Sequence, residues 1–132
     1  VKWLERDLVT GPYLGLATNE KDFRKALRTL KVPREKWPAA WLNDDATANC
    51  STFTNPSGGI ACVVCVRLGE QSGIEAAATL VHEAVHVWQT WCDYKGERDP
   101  SIEFEAYAIE SIAKRLMQAY AALTTANPMQ SL

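Results

Sequence analysis

The sequence predicts an α+β domain: a small antiparallel sheet, built on a hairpin over about residues 47–68, packed with about three helices. Three observations predict it. The run Ile60 to Leu68 is apolar and β-branched, and it follows the turn composition Asn55-Pro56-Ser57-Gly58-Gly59. Three other segments repeat apolar residues at helical spacing. Two of those segments open on explicit helix-start signals. With 132 residues, 47% apolar and 23% charged, the chain is expected to form one compact domain, 1–132, with a real core.

The first dozen residues carry a weak pattern. Asn19 is a candidate N-cap, with Glu20 and Asp22 in the first turn, and Phe23, Ala26, Leu27 and Leu30 form a stripe. A helix is expected from about 20 to 31, ending before Pro33. Residues 33–45 hold Trp37, Pro38 and Trp41 and read as irregular. Thr47 to Thr54 is the first strand of the hairpin. Ser72-Gly73-Ile74-Glu75 matches a capping box, in which serine caps the helix and glutamate reaches back. A long helix is expected from there to about Cys92, broken by Lys95-Gly96. Asp99-Pro100 starts another, running to about Leu123.

Net charge is −2, without the basic stripe of a dedicated nucleic-acid binder. No apolar run has the length of a membrane span. The N-terminus Val1-Lys2-Trp3-Leu4-Glu5-Arg6-Asp7 is too charged for a secretory signal. The expected setting is the cytoplasm of a bacterial host, with neither nucleic acid nor membrane as partner. Cys62 and Cys65 form a C-x-x-C, but inside a strand, where alternation points them to opposite faces. Buried free thiols are the expected state, with a Cys50 bridge across the hairpin as the alternative.

The only two histidines lie four apart, in His82-Glu83-Ala84-Val85-His86. On a helix such positions share a face, one turn apart. Two imidazoles so placed can bind one Zn²⁺, and the glutamate beside the first can act on water activated by the metal. The flanking residues are uncharged. Ala77, Val81, Ala84, Trp88 and Trp91 form the stripe expected to fix the helix against a core.

Catalytic zinc usually takes three protein ligands, and no third histidine exists. Cys92 points about 240° around the axis from His86 at about 100° per residue, and is discounted. The following helix carries a stripe of Ile102, Ile109, Ile112 and Leu116. Glu105 falls on it, whereas Glu103 and Glu110 fall on a face with Tyr107 and Lys114. A carboxylate on a core-facing stripe needs a partner, so Glu105 is the expected third ligand.

HExxH followed by a glutamate on the next helix resembles the gluzincin class of zinc peptidases. The stretches Val81 to Gln89 and Glu103 to Ala108 are similar to those of small, poorly characterised phage and prophage proteins with zincin motifs. Glu105-Ala106 followed by Ala108 also resembles the compact ImmA/IrrE metallopeptidases. The likeness covers residues 81–116 and implies a zincin-like fold and peptide or protein substrates.

The expected chemistry is metal-assisted hydrolysis. His82, His86 and Glu105 hold Zn²⁺, and Glu83 is the general base. Tyr94 and Tyr107 are candidates for oxyanion donor, with Tyr107 disfavoured by its position around the helix. The strand 60–68 is a candidate edge for an extended peptide, or plain core. The alternative function is a zinc-stabilised phage or bacterial binding or accessory protein without catalysis.

Overall fold

The computed structural model describes residues 1–4, 12–54, 59–69 and 72–126. The chain is α+β and forms two compact units, 1–68 and 69–132.

The first unit contains β1 (Lys2–Leu4), β2 (Tyr13–Ala17), α1 (Glu20–Thr29), a 3₁₀ turn at Arg34–Lys36, β3 (Ala48–Thr54) and β4 (Ile60–Val66). The strands form one sheet in the order β1-β2-β4-β3. The hairpin is present as read, with β3 and β4 antiparallel and Phe53 opposite Ala61. Its turn, 55–58, lies outside the described residues.

The sheet as a whole is mixed rather than antiparallel, because β2 runs parallel to β4 with Leu16 opposite Val64. A parallel neighbour needs a long crossover, and the chain from α1 to β3 supplies it. This arrangement also decides between the two readings of strand 60–68, in favour of core. β4 is paired on both sides, and all seven of its residues are buried. A continuous apolar run is what a strand covered on both faces requires. The sheet edges are β1 and β3.

Gly15 stands opposite Trp3 in the β1–β2 ladder. A Cβ there would lie 2.9 Å from Trp3 Cε3, so the missing side chain makes the slot for the indole. Asn19 caps α1, its Oδ1 accepting from the Asp22 N–H at 2.8 Å. Phe23, Ala26 and Leu27 then bury against Ala17, Leu42, Val63 and Cys65. Burial of side chains such as Phe23 and Leu27 contributes about 1.5–3 kcal/mol each. The helix ends where Lys31 turns left-handed, at φ 57°, ahead of Pro33.

The second unit is a pair of packed helices, α2 (Gly73–Lys95) and α3 (Ile102–Ala126). Ser72 caps α2, its Oγ accepting from the Glu75 N–H at 3.2 Å. Gly96 ends it in the left-handed region, at φ 72°, and the Glu97 N–H closes back to Cys92 O at 2.9 Å. α3 starts slightly later than Asp99-Pro100 suggests. Ser101 takes the capping role, with its Oγ accepting from the Phe104 N–H at 3.3 Å.

The buried face of α2 is Ala76, Leu80, Glu83, Ala84, Val87, Trp88 and Trp91. It is rotated from the expected stripe. Ala84, Trp88 and Trp91 are buried as read, but Val81 is 39% exposed and Leu80 and Val87 take the inward positions. The helix is apolar on several faces, so spacing alone allowed either phase. No helix among the described residues is long and apolar enough to cross a membrane.

Two glycines with open space around them should respond with opposite sign. A Cβ at Gly96 or at Gly73 meets nothing within 4 Å, but only Gly96 has positive φ. Gly96→Ala should therefore cost about 1–2 kcal/mol. Gly73→Ala should stabilise by about 0.4–1 kcal/mol by restricting the unfolded chain. Urea denaturation of both variants checks the pair of signs.

Candidate metal centre

The pitch of α2 sets His82 and His86 on one face, about 40° apart. Their Nε2 atoms are 3.2 Å from one another, with ring centroids 4.8 Å apart and planes at 73°. Zinc–nitrogen bonds of about 2.0–2.1 Å at tetrahedral angles put two donors about 3.3 Å apart. The imidazole pair therefore has the spacing of two ligands on one ion. Both side chains are exposed.

His86 Nδ1 lies 3.2 Å from Gln89 Oε1. A carbonyl oxygen only accepts, so this contact is made by the tautomer with its proton on Nδ1 and a lone pair on Nε2. That is the tautomer a metal ligand needs, held by a neighbour as such ligands usually are. Gln89 was not singled out from the sequence. Its signal was there, three positions after His86 on the same face.

Among the described residues of the unit, Glu83 is the buried carboxylate, 4% exposed. Its Oε2 has no hydrogen-bond partner among the described residues. Burial pushes its pKa above the ordinary carboxylate range, and the opposing pull of His82 and His86 is smaller. A carboxyl with a raised proton affinity beside two imidazoles is a functional candidate on physical grounds.

The structure does not bring Glu105 to the histidines. It lies in the first turn of α3 and accepts from the Trp88 indole N–H at 2.9 Å. Trp88 is more than about 100° around α2 from either histidine. Among the described residues, no group of three His, Cys, Asp or Glu side chains could hold a metal ion. The expectation that singled out Glu105, a carboxylate turned toward the core, is not met: Glu105 is itself exposed, and its carboxylate accepts from an indole. The stripe itself begins late. Ile102 is 85% exposed, whereas Ile109 and Ile112 are half-buried and Leu116 is fully buried. Glu103 and Glu110 are exposed.

Trp88 also stacks on Trp91 at 5.2 Å and meets Phe104 at 5.7 Å, so Glu105 sits beside an aromatic cluster joining α2 to α3. Cys92 belongs to that side. Burial first, then the charges of Glu105, Glu97 and Asp93, hold its thiol pKa above the ordinary value. Tyr107 is 66% exposed, and Tyr94 is 38% exposed with Lys95 Nζ 5.6 Å from its ring centroid.

The cysteines are free thiols. Cys62 and Cys65 are both fully buried in β4. Cys62 is hydrogen-bonded with Cys50 across the hairpin and with Thr52, which lowers its pKa despite burial.

Comparison with protein-family models, with curated proteins and with solved structures gives no match to this chain.

The position of Glu105 makes a direct prediction. Glu105→Gln keeps an acceptor for Trp88 and should lower zinc affinity by less than about tenfold, below the usual range for supporting partners of a metal site. It should change the Trp88 indole N–H resonance. A loss beyond about a hundredfold would mean that the carboxylate leaves Trp88 and ligates the ion.

Proposed function

We propose that the chain is a zinc-dependent hydrolase, a peptidase in class, with His82 and His86 as ligands and Glu83 as general base. One observation carries this reading: two Nε2 atoms 3.2 Å apart beside a buried carboxyl with an unpartnered oxygen. The imidazole pair fits zinc, and Glu105 on Trp88 does not fit it as placed. Bound zinc supplies a Lewis acid for a carbonyl and acidifies water.

The chain's own residues account for the rest. Gln89 orients the His86 ring, and holding a metal requires both Nε2 atoms to be free of a proton. Glu83, with its raised proton affinity, takes a proton from water and returns it to the leaving amine. The peptide class rests on the resemblance of residues 81–116 to small zinc peptidases. Four free thiols suit a reducing compartment, which supports a cytoplasmic setting in a bacterial host.

A second reading is a zinc-stabilised binding or accessory protein. The observation favouring it is that, among the described residues, two protein donors and no third converge, and both are exposed.

Three measurements separate these readings. Elemental analysis should give about one zinc per chain, abolished by His82→Ala or His86→Ala. No metal, or metal kept in both variants, would sink the zinc site. Glu83→Gln should keep zinc and fold but lower cleavage of a peptide library by about 10²–10⁴-fold. Undiminished cleavage would refute Glu83 as the base, and a zinc-loaded wild type that cleaves nothing would establish the second reading.

A further inference from the structure

A separate pocket lies wholly within the first unit, between α1 and the segment from Arg34 to Trp41. Its volume is about 210 Å³. That is below the roughly 300–1,000 Å³ of sites for drug-sized ligands, and suits a single residue-sized group. Buried Phe23 and Leu27 form its apolar lining. Trp37 and Trp41 are its aromatic walls, and Glu20, Arg24 and Arg34 are its charged groups.

The charged groups are not equivalent. Arg24 is paired with Glu20 at 2.9 Å. Arg34 has no carboxylate partner among the described residues, and its Cζ sits 4.6 Å from the Trp37 ring centroid. A guanidinium stacked on an indole keeps its N–H edge free for a bidentate acceptor. Trp37 is itself held in place, its indole N–H donating to Val32 O at 2.9 Å. The platform is thus formed before any ligand arrives. Segment 20–36 carries seven Lys and Arg against three Asp and Glu, although the whole chain is at −2.

We propose that this pocket binds a monocarboxylate with a large apolar or aromatic body, such as the C-terminal residue of a peptide. The apolar lining takes the body, and Arg34 takes the carboxylate as a fork. A single negative charge matches Arg34, the one guanidinium of the lining without a carboxylate partner among the described residues; Arg28, 6.0 Å from the Trp37 ring centroid, lies outside the lining. With Glu20 paired to Arg24, the lining carries one net positive charge, which suits a monoanion better than a dianion such as a phosphate monoester. A nucleobase would have to displace Arg34 to stack on the same face of Trp37. The proposal does not depend on the zinc site.

The test is an NMR titration with EDTA present, so that hydrolysis plays no part. The five tryptophans give up to five indole N–H signals, which single Trp→Phe variants assign. The probes are N-acetyl-phenylalanine and the peptide Gly-Gly-Phe, each as free acid and as C-terminal amide. Both acids should move the Trp37 and Trp41 signals, and the amides should bind at least about tenfold more weakly. A peptide acid binding more tightly than the acetylated residue would identify a chain terminus as the ligand, and the reverse order a small acid. Arg34→Gln should reduce the acids to the level of the amides. Lys25→Gln, exposed on α1 and outside the pocket, should not. Equal binding of acid and amide, indifference to Arg34→Gln, or no movement of the two signals would overturn the proposal. So would tighter binding of phenyl phosphate.

Discussion

The pitch of α2 sets Glu83 on the buried face of the helix, 4% exposed. Leu80, Ala84, Val87 and Trp91 must face inward for the helix to bury its apolar surface, and Glu83 falls among them. An isolated buried carboxylate is costly, and this one responds as physics requires, with its pKa raised by desolvation. The same pitch turns His82 and His86 outward and brings their Nε2 atoms together. One helix therefore carries a carboxyl on its buried side and a pair of imidazoles at its surface. The separation follows from residue spacing alone.

Aromatic residues brace each unit from within, in its own way. In the second unit Trp88 stacks on Trp91, meets Phe104 and donates to Glu105, so one side chain ties the C-terminal half of α2 to the first turn of α3. Glu105 is thereby given a neutral donor in place of a cation. In the first unit Trp3 lies in the slot left by Gly15, and Trp37 is fixed by its bond to Val32 O. Arg67 does the same for the loop before β3, donating to Ala46 O and Asn43 O with its guanidinium 5.4 Å from the Trp41 ring centroid.

What the sequence made legible was local. The caps at Asn19 and Ser72 depend on a side chain and a backbone N–H three residues on, and both are present. Gly96 ends α2 because only the left-handed region closes the turn there. The β3–β4 hairpin is a pairing of neighbours, announced by its turn composition. What was hidden depends on partners far along the chain. β1 and β2 are short, β2 pairs in parallel with a strand more than forty residues away, and Gly15 makes sense only opposite Trp3. The phase of α3 was hidden for the same reason. Its stripe of isoleucines is a valid helical repeat, but an indole from α2 decides where Glu105 rests. The histidine pair was legible because both residues and their helix are one local object.

The account stands on whether the two imidazoles act as one ligand pair, and the chain's having only two histidines makes this directly observable. Long-range ¹⁵N–¹H spectra report each ring nitrogen separately. On titration with zinc, the Nε2 signals of His82 and His86 should move together and be complete at about one equivalent, while His86 Nδ1 keeps its proton toward Gln89. A response from one histidine alone, from Nδ1 of His86 instead of Nε2, or from neither ring would contradict the account.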